Sequence, residues 1–509
     1  MTFRIVSTAL DAAPATPELR PGGWSNPLVE ACVLRPEIEP AIARLRDPNV
    51  LVVTSGQQPG LFTGPLYAIY KALSAAALAK RLETRWDTPV VPVFWVAGDD
   101  HDFAEANHAT WLRSDGSLRT ETLRTRPSDA PLTPMYRETL GPEVLRLLES
   151  LTVDLASHPF GQSTVDWLAQ HYQPEATFAE AFAGALAELL APFGVVCLDS
   201  THPTVKRMAA GTIVRALGLT RDLDRDLAAR AEALEAAGVH PGVKVGEGAS
   251  LIMLEGRLGR DRLMLDGQSL VTRRSHERFD LDQLQTIAAE EPQRLSPNVL
   301  LRPVVESALL PTVAYVAGPG ELRYLQLTDP IYQRLRVVQQ TPIPRWSGMI
   351  VPRRVDRVLE KYGAELDALL EPDEALESRA VHGHMPPEAI QALTALSESI
   401  EAGYEAIHRL GVQIDPTLEK PIARIRHQAI KGVADAEHRL VSHLKRREQT
   451  ELAQIARARS AVFPLGRPQE RVLGAASLLA LYGPDLFDQL AGVIGEWYAS
   501  ALEGDPIPS

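Results

Sequence analysis

The chain has 509 residues, which is too long for one ordinary domain and long enough to bury a large core. Its 65 acidic and 52 basic residues give a net charge of −13, and this excess of acid argues against general binding of nucleic acid. Its two cysteines, Cys32 and Cys197, form neither a disulfide framework nor a CxxC metal pair. We find no signal-peptide pattern and no apolar run of the roughly 18 residues that a membrane helix needs, so we expect a cytoplasmic protein with no membrane partner.

Strand-like apolar runs recur in the first part of the chain, each followed by a loop and a helical pattern. They are LVVTSG (51–56), PVFWVAGDD (92–100), FGVVCLDS (193–200) and PTVAYVAGPGE (311–321). Continuous Val-rich runs are typical of strands that are buried on both faces, as in a parallel sheet. The sequence therefore predicts an α/β fold with a Rossmann-like parallel-sheet core over residues 1–350. Short β-like pieces and turns predict an inserted module at about 201–300.

The pattern changes after residue 350. Apolar residues recur every three or four positions in two segments, which are separated by the turn LGVQIDPTLEK (410–420). This spacing predicts an α-helical antiparallel coiled-coil arm over 351–461, and 462–509 regains an apolar pattern that we expect to pack back on the core. Because such an arm has little core of its own, we expect it to pack on a partner subunit or on the main domain. Its basic block (437–460) fits a solvated helix face better than a nucleic-acid stripe.

The stretch SGQQPGLFTGP (55–65) joins the first of these runs to a helical pattern. Its glycine spacing matches neither GxGxxG nor a P-loop, but it permits close approach of a ligand. We expect Thr63 to cap the following helix, whose first N–H groups would face an anion. The alternative is a glycine-rich turn whose amides serve only the neighbouring backbone. The candidate substrate-binding residues here are Ser55, Gly56, Gln57, Gln58, Gly60, Thr63, Gly64 and, in the helix, Lys71.

The stretch VPVFWVAGDDHDFAEANH (91–108) delivers acids and histidines to the end of a second predicted strand. We predict Asp100, His101 and Asp102 as catalytic residues, with His101 beside carboxylates suited to general-base work. Three other interpretations stay open. In the first, an aspartate only caps the next helix. In the second, the group forms an internal salt-bridge network. In the third, His101, Glu105 and His108 bind a metal ion as HxxxExxH. We predict no metal.

A third group of polar residues lies in SPNVLLRPVVESALLPTVAYVAGPGELRYLQL (296–327) and just beyond it. Arg302 offers a planar fork for a carboxylate or phosphate, and the AGPGE turn allows a ligand to approach closely. The alternative for Arg302 is an ion pair with an internal acid. The candidate substrate-binding residues of this group are Asn298, Arg302, Gly318, Gly320, Glu321, Tyr324 and, in the TPIPR turn, Arg345.

Two resemblances follow from these stretches. The predicted core is similar to that of class I aminoacyl-tRNA synthetases and nucleotidylyltransferases, although both histidines of their GxxPxGxxHxGH-like loop are absent here. More closely, five stretches resemble the cysteine-adding enzymes of bacillithiol biosynthesis, the BshC family: SGQQPGLFTGPLYAIYK, VPVFWVAGDDHDFAEANH, SPNVLLRPVVE, LPTVAYVAGPGE and FPLGRPQER. The position of Glu306 is usually glutamine in that family.

The BshC resemblance implies a ligase that adds L-cysteine to glucosaminyl malate, and a homodimer formed through the coiled-coil arm. On this hypothesis the Gly56–Gly64 loop holds a carboxylate or phosphates, and Asp100 and His101 orient and deprotonate the attacking amine. Arg302 or Arg345 would bind the malate carboxylates. Because a carboxylate must be activated before an amine attacks it, we expect ATP or another nucleotide as co-substrate. The alternatives are an adenylate-forming or nucleotidylyl-transferring enzyme for another small acid, and a non-catalytic scaffold with a degenerate nucleotide-binding core.

Overall fold

The computed structural model describes residues 3–10, 13–371, 376–377, 385–447 and 449–503. These residues form two compact units. The larger unit runs from Ile5 to Ile350 and includes the C-terminal segment from Gln469 onwards. The smaller unit holds Val351–Pro468 and the first described residues of the chain. For comparison, the limits expected from the sequence are 1–350, 351–461 and 462–509.

The strands are β1 (Phe3–Ser7), β2 (Leu51–Gln57), β3 (Val90–Val96), β4 (His108–Leu112), β5 (Leu118–Thr122), β6 (Val196–Asp199), β7 (Ala249–Gly256), β8 (Gly259–Asp266), β9 (Ser269–Thr272), β10 (Arg278–Phe279), β11 (Leu295–Pro297), β12 (Thr312–Ala317), β13 (Thr341–Pro344) and β14 (Gly348–Pro352).

The helices of the larger unit are α1 (Glu39–Leu45), α2 (Tyr67–Trp86), α3 (Phe103–Ala106), α4 (Glu143–Leu155), α5 (Gly161–His171), α6 (Phe178–Leu190), α7 (Pro203–Gly218), α8 (Thr220–Ala236), α9 (Leu281–Glu290), α10 (Arg302–Leu309), α11 (Pro319–Leu325) and α12 (Asp329–Leu335). The remaining helices are α13 (Arg353–Tyr362), α14 (Pro387–Ile414), α15 (Glu419–Arg447), α16 (Gln449–Val462), α17 (Ala476–Tyr482) and α18 (Asp485–Glu503).

A five-stranded sheet in the order β13-β12-β2-β3-β6 forms the centre of the larger unit, and all of its neighbouring strands run parallel. The predicted α/β class and Rossmann-like parallel sheet are therefore confirmed. The strands β2 and β3 are buried along almost their whole length, because helices cover both faces of the sheet. On one face α2 packs on β2, β3 and β12, and α18 packs on α2. On the other face Leu28, Ile42 and Val205 pack against the inward side chains of β2 and β3.

The segment between β6 and β12 contains a second sheet. Its five strands, in the order β10-β9-β8-β7-β11, pair antiparallel. The short β-like pieces of the predicted insert correspond to these strands, whereas residues 203–236 before them form the long helices α7 and α8. This sheet and α7 share an apolar core that includes Ile213, Ile252 and Leu295.

The loop between β2 and α2 departs from the expected geometry at Thr63. The expectation that Thr63 caps α2 is wrong, since the helix starts after Leu66 without a side-chain cap. Residues Leu61–Thr63 form a short 3₁₀ turn instead, and the Thr63 hydroxyl donates to the Phe62 carbonyl. The Thr63 N–H donates to the hydroxyl of Tyr172 at 2.7 Å, which draws this part of the loop toward α5 and α6.

The smaller unit contains the helical hairpin that the apolar spacing predicts. The helices α14 and α15 pack on each other and are joined by a tight turn at Pro416–Leu418. They approach closely near this turn, where a Cβ atom on Gly411 would lie 2.4 Å from the side chain of Ile422. The predicted helical coiled-coil arm is thus confirmed. In the part of the chain that the structure describes, no helix is both long and apolar enough to cross a membrane.

The parallel register of β2 and β3 generates a prediction for Gly56, which lies opposite Trp95. A Cβ atom on Gly56 would stand 2.7 Å from the Trp95 carbonyl oxygen, so we expect Gly56→Ala to destabilise the larger unit by about 1–3 kcal/mol. Gly211 is the matched control, because it lies within α7 with open space around its Cβ position. Gly211→Ala should stabilise the protein by roughly 0.5–1 kcal/mol, and urea unfolding measures both changes. Equal stabilities for the two variants would contradict the register.

Candidate active site

A cleft of about 550 Å³ opens at the carboxyl edge of the parallel sheet. Its walls come from the ends of β2, β3 and β12 and from the helices α2, α7, α10 and α11. The predicted residues on its lining are Gly56, Gln57, Gln58, Lys71, Asp100, Asn298, Arg302, Gly318, Gly320, Glu321, Tyr324 and Arg345. Side chains from all three polar stretches of the sequence therefore meet in one cavity.

The other predicted residues do not line the cleft. They are Ser55, Gly60, Thr63, Gly64, His101 and Asp102. The Ser55 hydroxyl is fully buried and donates to the Val316 carbonyl at 2.8 Å, so it holds β2 against β12. Gly64 has a φ of +66° and lies beside Phe182. Within the Gly56–Gly64 loop, only the first half faces the cleft.

Lys71 projects from α2 into the base of the cleft and is almost completely buried. Its Nζ donates to the Gly56 carbonyl at 2.9 Å and to Gln57 Oε1 at 3.1 Å, and it forms an ion pair with Glu321. Burial lowers the pKa of Lys71 below its ordinary value, and the Glu321 carboxylate opposes this shift. Lys71 therefore fixes the end of β2.

Glu321 receives three further hydrogen bonds at the start of α11. The Gly318 N–H donates to it at 2.8 Å and the Tyr315 hydroxyl at 2.7 Å, while the Tyr324 hydroxyl lies 3.4 Å away. Burial by itself would raise the pKa of Glu321, but Lys71 and these donors outweigh it and lower the pKa below its ordinary value. Glu321 is thus an ionised carboxylate that ties the end of β12 to α2.

Arg302 lies beside Glu306, as the internal ion pair that we considered for it requires. Its Nη1 donates to Glu306 Oε2 at 2.7 Å, and its guanidinium stacks 4.8 Å from the ring centre of Tyr315. Burial raises the pKa of Glu306, and Arg302 and the Thr54 hydroxyl oppose the shift. The second terminal nitrogen of Arg302, Nη2, is buried and has no hydrogen-bond partner among the described residues. Arg302 lines the cleft, so Nη2 is a donor close to the cavity that the described protein groups leave unused.

The acidic stretch after β3 divides into residues with different tasks. Asp99 pairs with Lys206 Nζ at 2.5 Å on the cleft wall. Asp100 accepts the Asp102 N–H on one oxygen at 2.8 Å. Asp102 is exposed and accepts the Glu105 N–H at 3.1 Å, so it acts as the N-cap of α3. The helix-cap interpretation thus describes Asp102, while Asp100 faces the cleft.

His101 lies behind the cleft wall against Arg260. Its Nδ1 is 3.1 Å from Arg260 Nη1, and because a guanidinium only donates, Nδ1 must be the acceptor. The neutral ring therefore carries its proton on Nε2. Burial and the Arg260 charge lower the pKa of His101. In this arrangement Nε2 is a donor, which differs from the general base that we expected.

The metal alternative for this stretch needs one continuous helix, and α3 already ends at Ala106. His108 begins β4 and is exposed. Among the residues that the structure describes, no group of three or more His, Cys, Asp or Glu side chains is placed to hold a metal ion.

Arg345 is buried, and its guanidinium binds protein groups behind the cleft lining. Its Nη1 donates to Glu470 Oε2 at 2.9 Å and its Nη2 to the other carboxylate oxygen, which makes a bidentate pair. Nη1 also donates to the Trp346 carbonyl at 2.7 Å and to the Ser347 hydroxyl at 2.9 Å. Asn298 is used similarly, since its side-chain oxygen accepts N–H groups at the start of α10.

Sequence reasoning missed several residues of the cleft. They are Tyr67, Lys206, Arg260, Arg323 and Arg471 on the lining, together with Glu470 behind it. Asp99 and Glu105 also line the cleft, and they lie in the acidic stretch without having been predicted as catalytic or substrate-binding residues. The FPLGRPQER stretch contained Glu470 and Arg471 and could have indicated them. Lys206 and Arg260 lie in a helix and a strand without any motif, so no local signal pointed to them.

Comparison with known proteins covers both units of this chain. A family model described as the N-terminal Rossmann-like domain of bacillithiol biosynthesis BshC matches residues 29–346, and one described as the C-terminal coiled-coil domain of BshC matches 348–495. A protein of Koribacter versatilis is 33% identical over 467 residues, which cover 90% of this chain and 85% of the relative. A protein of Solibacter usitatus is 30% identical over 485 residues, which cover 94% and 88%. Both carry the assigned name cysteine ligase BshC.

The buried pair of Arg345 and Glu470 generates a stability prediction. Glu470→Ala leaves the Arg345 guanidinium buried without its partner, so we expect a loss of about 3–5 kcal/mol in the free energy of unfolding. Asp266 is the matched control, because its ion pair with Arg278 is exposed, and Asp266→Ala should change stability by less than about 0.5 kcal/mol. Chemical denaturation measures both, and similar small losses would show that the Arg345 pair contributes little.

Proposed function

The chain belongs to the bacillithiol biosynthesis BshC family, and from this premise we propose that it is a ligase that joins L-cysteine to glucosaminyl malate. The reaction makes a new carbon–nitrogen bond between the cysteine carboxyl carbon and the sugar amine. The observation that carries the proposal is a cleft in which carboxylates and guanidinium groups line the same cavity. Small polar substrates with both an amine and carboxylates match such a lining.

The charges of the cleft fit the two ends of glucosaminyl malate. Asp100 and Glu105 lie on the lining after β3, where a protonated amine is favoured. Arg302, Arg323 and Arg471 supply cations to the same cavity and suit the two malate carboxylates. Between the two arginines that we predicted for this task, we favour Arg302. Arg345 uses both terminal nitrogens on Glu470, whereas Arg302 uses only Nη1 on Glu306.

The proposed chemistry requires the amine to lose a proton as its nitrogen attacks the carboxyl carbon of cysteine. The C–N bond forms as a C–O bond of the activated carboxyl group breaks, and the departing oxygen would leave with the phosphate or nucleotide group that activated it. Asp100 has one oxygen occupied by the Asp102 N–H and the other available to accept this proton. His101 acts as a positioning residue in this scheme, since its ring holds Arg260 at the cleft wall. Lys71 and Glu321 keep Gly56 and Gln57 in place beneath the substrates.

An activating co-substrate is needed because a carboxylate does not react with an amine unassisted at neutral pH, and ATP or another nucleotide stays our prediction. At the phosphate site that we expected before α2, several of the N–H groups that would face a phosphate are already used within the protein. Thr63 N donates to Tyr172, Gly64 N to the Leu61 carbonyl and Leu66 N to the Leu473 carbonyl. We therefore assign no binding site to the nucleotide.

A reconstituted reaction tests the activity. Purified protein is incubated with L-cysteine, glucosaminyl malate and each nucleoside triphosphate in turn, and mass spectrometry detects the cysteinyl amide. We expect product with at least one nucleotide. Asp100→Asn should lower kcat by about 10²-fold, because the proton acceptor is lost. Asp102→Asn should change kcat by less than about twofold, since asparagine caps a helix as well as aspartate does. No product with any nucleotide, or full turnover by Asp100→Asn, would contradict the proposal.

We also propose that the protein is a cytoplasmic homodimer formed through the coiled-coil arm. Large apolar side chains on α14 and α15 are left exposed within the smaller unit, including Ile407, Leu410 and Ile414 at 53%, 61% and 81%. Side chains three or four positions apart share one face of a helix, so these three form an apolar stripe at the end of α14. A second copy of the arm would cover such a stripe.

Charge substitutions in this stripe test the dimer. Light scattering in solution should give twice the chain mass for the wild-type protein. The double variant Ile407→Glu, Leu410→Glu should give the mass of one chain, because the interface would bury two carboxylates without partners. Leu465→Glu is the control, since Leu465 is equally exposed at 63% but lies outside both arm helices. A monomeric wild type, or a dimeric double variant, would overturn the arm interface.

A further inference from the structure

One wall of the cleft is apolar. Val205, Ala209 and Ile213 recur every four residues along α7 and therefore lie on one face of that helix. Leu295 from β11 and Val243 from the loop after α8 line the same cavity. The polar stretches that point to catalysis do not include these residues.

This wall adjoins the carboxylate side of the cleft. Lys206 follows Val205 in α7, and its Nζ both pairs with Asp99 at 2.5 Å and donates to the Leu295 carbonyl at 3.3 Å. One buried side chain thus joins Asp99 to Leu295 of the wall. An α-amino acid whose ammonium group lies at Asp99 and Asp100 would direct its side chain toward this surface.

Most of the donors next to the wall are already used. Lys206 uses two of its three N–H groups on Asp99 and Leu295, and the Ser200 hydroxyl donates to the Val96 carbonyl at 2.7 Å. A hydroxyl group placed here would exchange several hydrogen bonds to water for few partners in the protein, and that desolvation is unfavourable. A thiol is a weak donor that behaves as a small apolar group, so it loses little.

From these contacts we propose that the wall formed by Val205, Ala209 and Ile213 is the side-chain subsite that selects cysteine over serine. The inference rests on the proposed ligase function and adds the residues that set its amino-acid specificity. Glucosaminyl malate is polar throughout, so the thiol-bearing CH₂ group of cysteine is the part of the two substrates that suits an apolar wall. The adjacent Asp99 and Asp100 also fit the product. In the cysteinyl amide, Cα carries the ammonium group and the neighbouring carbonyl carbon carries the amide nitrogen, so the two nitrogens lie close together.

The specificity of the reconstituted enzyme tests the wall through Ala209→Ser, which adds one hydroxyl to it. The wild type should prefer cysteine over serine by about 10²-fold in kcat/KM, as an apolar pocket can. Ala209→Ser should reduce this preference by about tenfold, because the new hydroxyl offers a hydrogen bond to serine. Ala210→Ser is the control, since Ala210 is the next residue of α7, is only partly buried and does not line the cleft. It should leave the preference unchanged.

A second variant tests the same wall by size. Ala209→Leu should raise KM for cysteine by at least about tenfold and leave KM for glucosaminyl malate within about twofold, because the added atoms fill only the side-chain subsite. The inference is overturned if Ala209→Ser keeps the wild-type preference, or if Ala209→Leu does not change KM for cysteine.

Calorimetric titration with L-cysteine and L-serine separates the proposed subsite from the proposed ligase function. If the wild type binds cysteine more tightly than serine and Ala209→Leu abolishes this difference, the subsite is supported even if no product forms. Equal affinity of the wild type for both amino acids overturns it.

Discussion

The cleft depends on one buried ion pair, between Lys71 of α2 and Glu321 at the start of α11. Lys71 also binds the last residues of β2, and Glu321 binds the Gly318 N–H beyond the end of β12. The pair therefore sets the distance between two strand ends that lie far apart in the sequence. A charge that is buried this deeply is tolerated only when it has a partner, since removal of one partner typically costs about 3–5 kcal/mol. The strand ends are thus held in place before any substrate binds.

The same arrangement recurs around the cleft. Arg302 pairs with Glu306 within α10, Lys206 pairs with Asp99 on the lining, and Arg345 pairs with Glu470 behind it. These ion pairs make the site rigid, and rigid polar groups stabilise charge without reorganising during a reaction. The groups left for substrates are then Nη2 of Arg302, the exposed Arg323 and Arg471, and the second oxygen of Asp100. The proposed mechanism thus rests on two sets of residues: ion-paired residues that fix the shape of the cleft, and residues that bind the substrates.

The convergence of the three polar stretches could be predicted from the sequence, because parallel strands bring their carboxyl ends to one edge of a sheet. The Val-rich runs identified those strands, and Gln57, Asp100 and Gly318 follow from where the runs end. The arm was predictable for a similar reason, since its apolar spacing is regular over two long helices. Local patterns of this kind describe the fold and the general position of the site well.

Other features depend on partners that a local pattern does not reveal. Thr63 turns away from the cleft because its N–H binds Tyr172, and Arg345 is held by Glu470, which lies 125 positions further along the chain. Arg260, 159 positions away, donates to the ring of His101 and thereby fixes its tautomer. Each of these contacts joins segments that only the folded chain brings together. The residue types of Thr63, Arg345 and His101 alone therefore suggested roles that differ from the contacts seen in the structure.

A crystal structure of the protein with glucosaminyl malate and L-cysteine tests the central claim most directly. The account predicts electron density for both substrates in the cleft at the carboxyl edge of the sheet, with the malate carboxylates near Arg302 and the amine near Asp100. Density for the substrates at any other place on the larger unit, with this cleft holding only solvent, would contradict it.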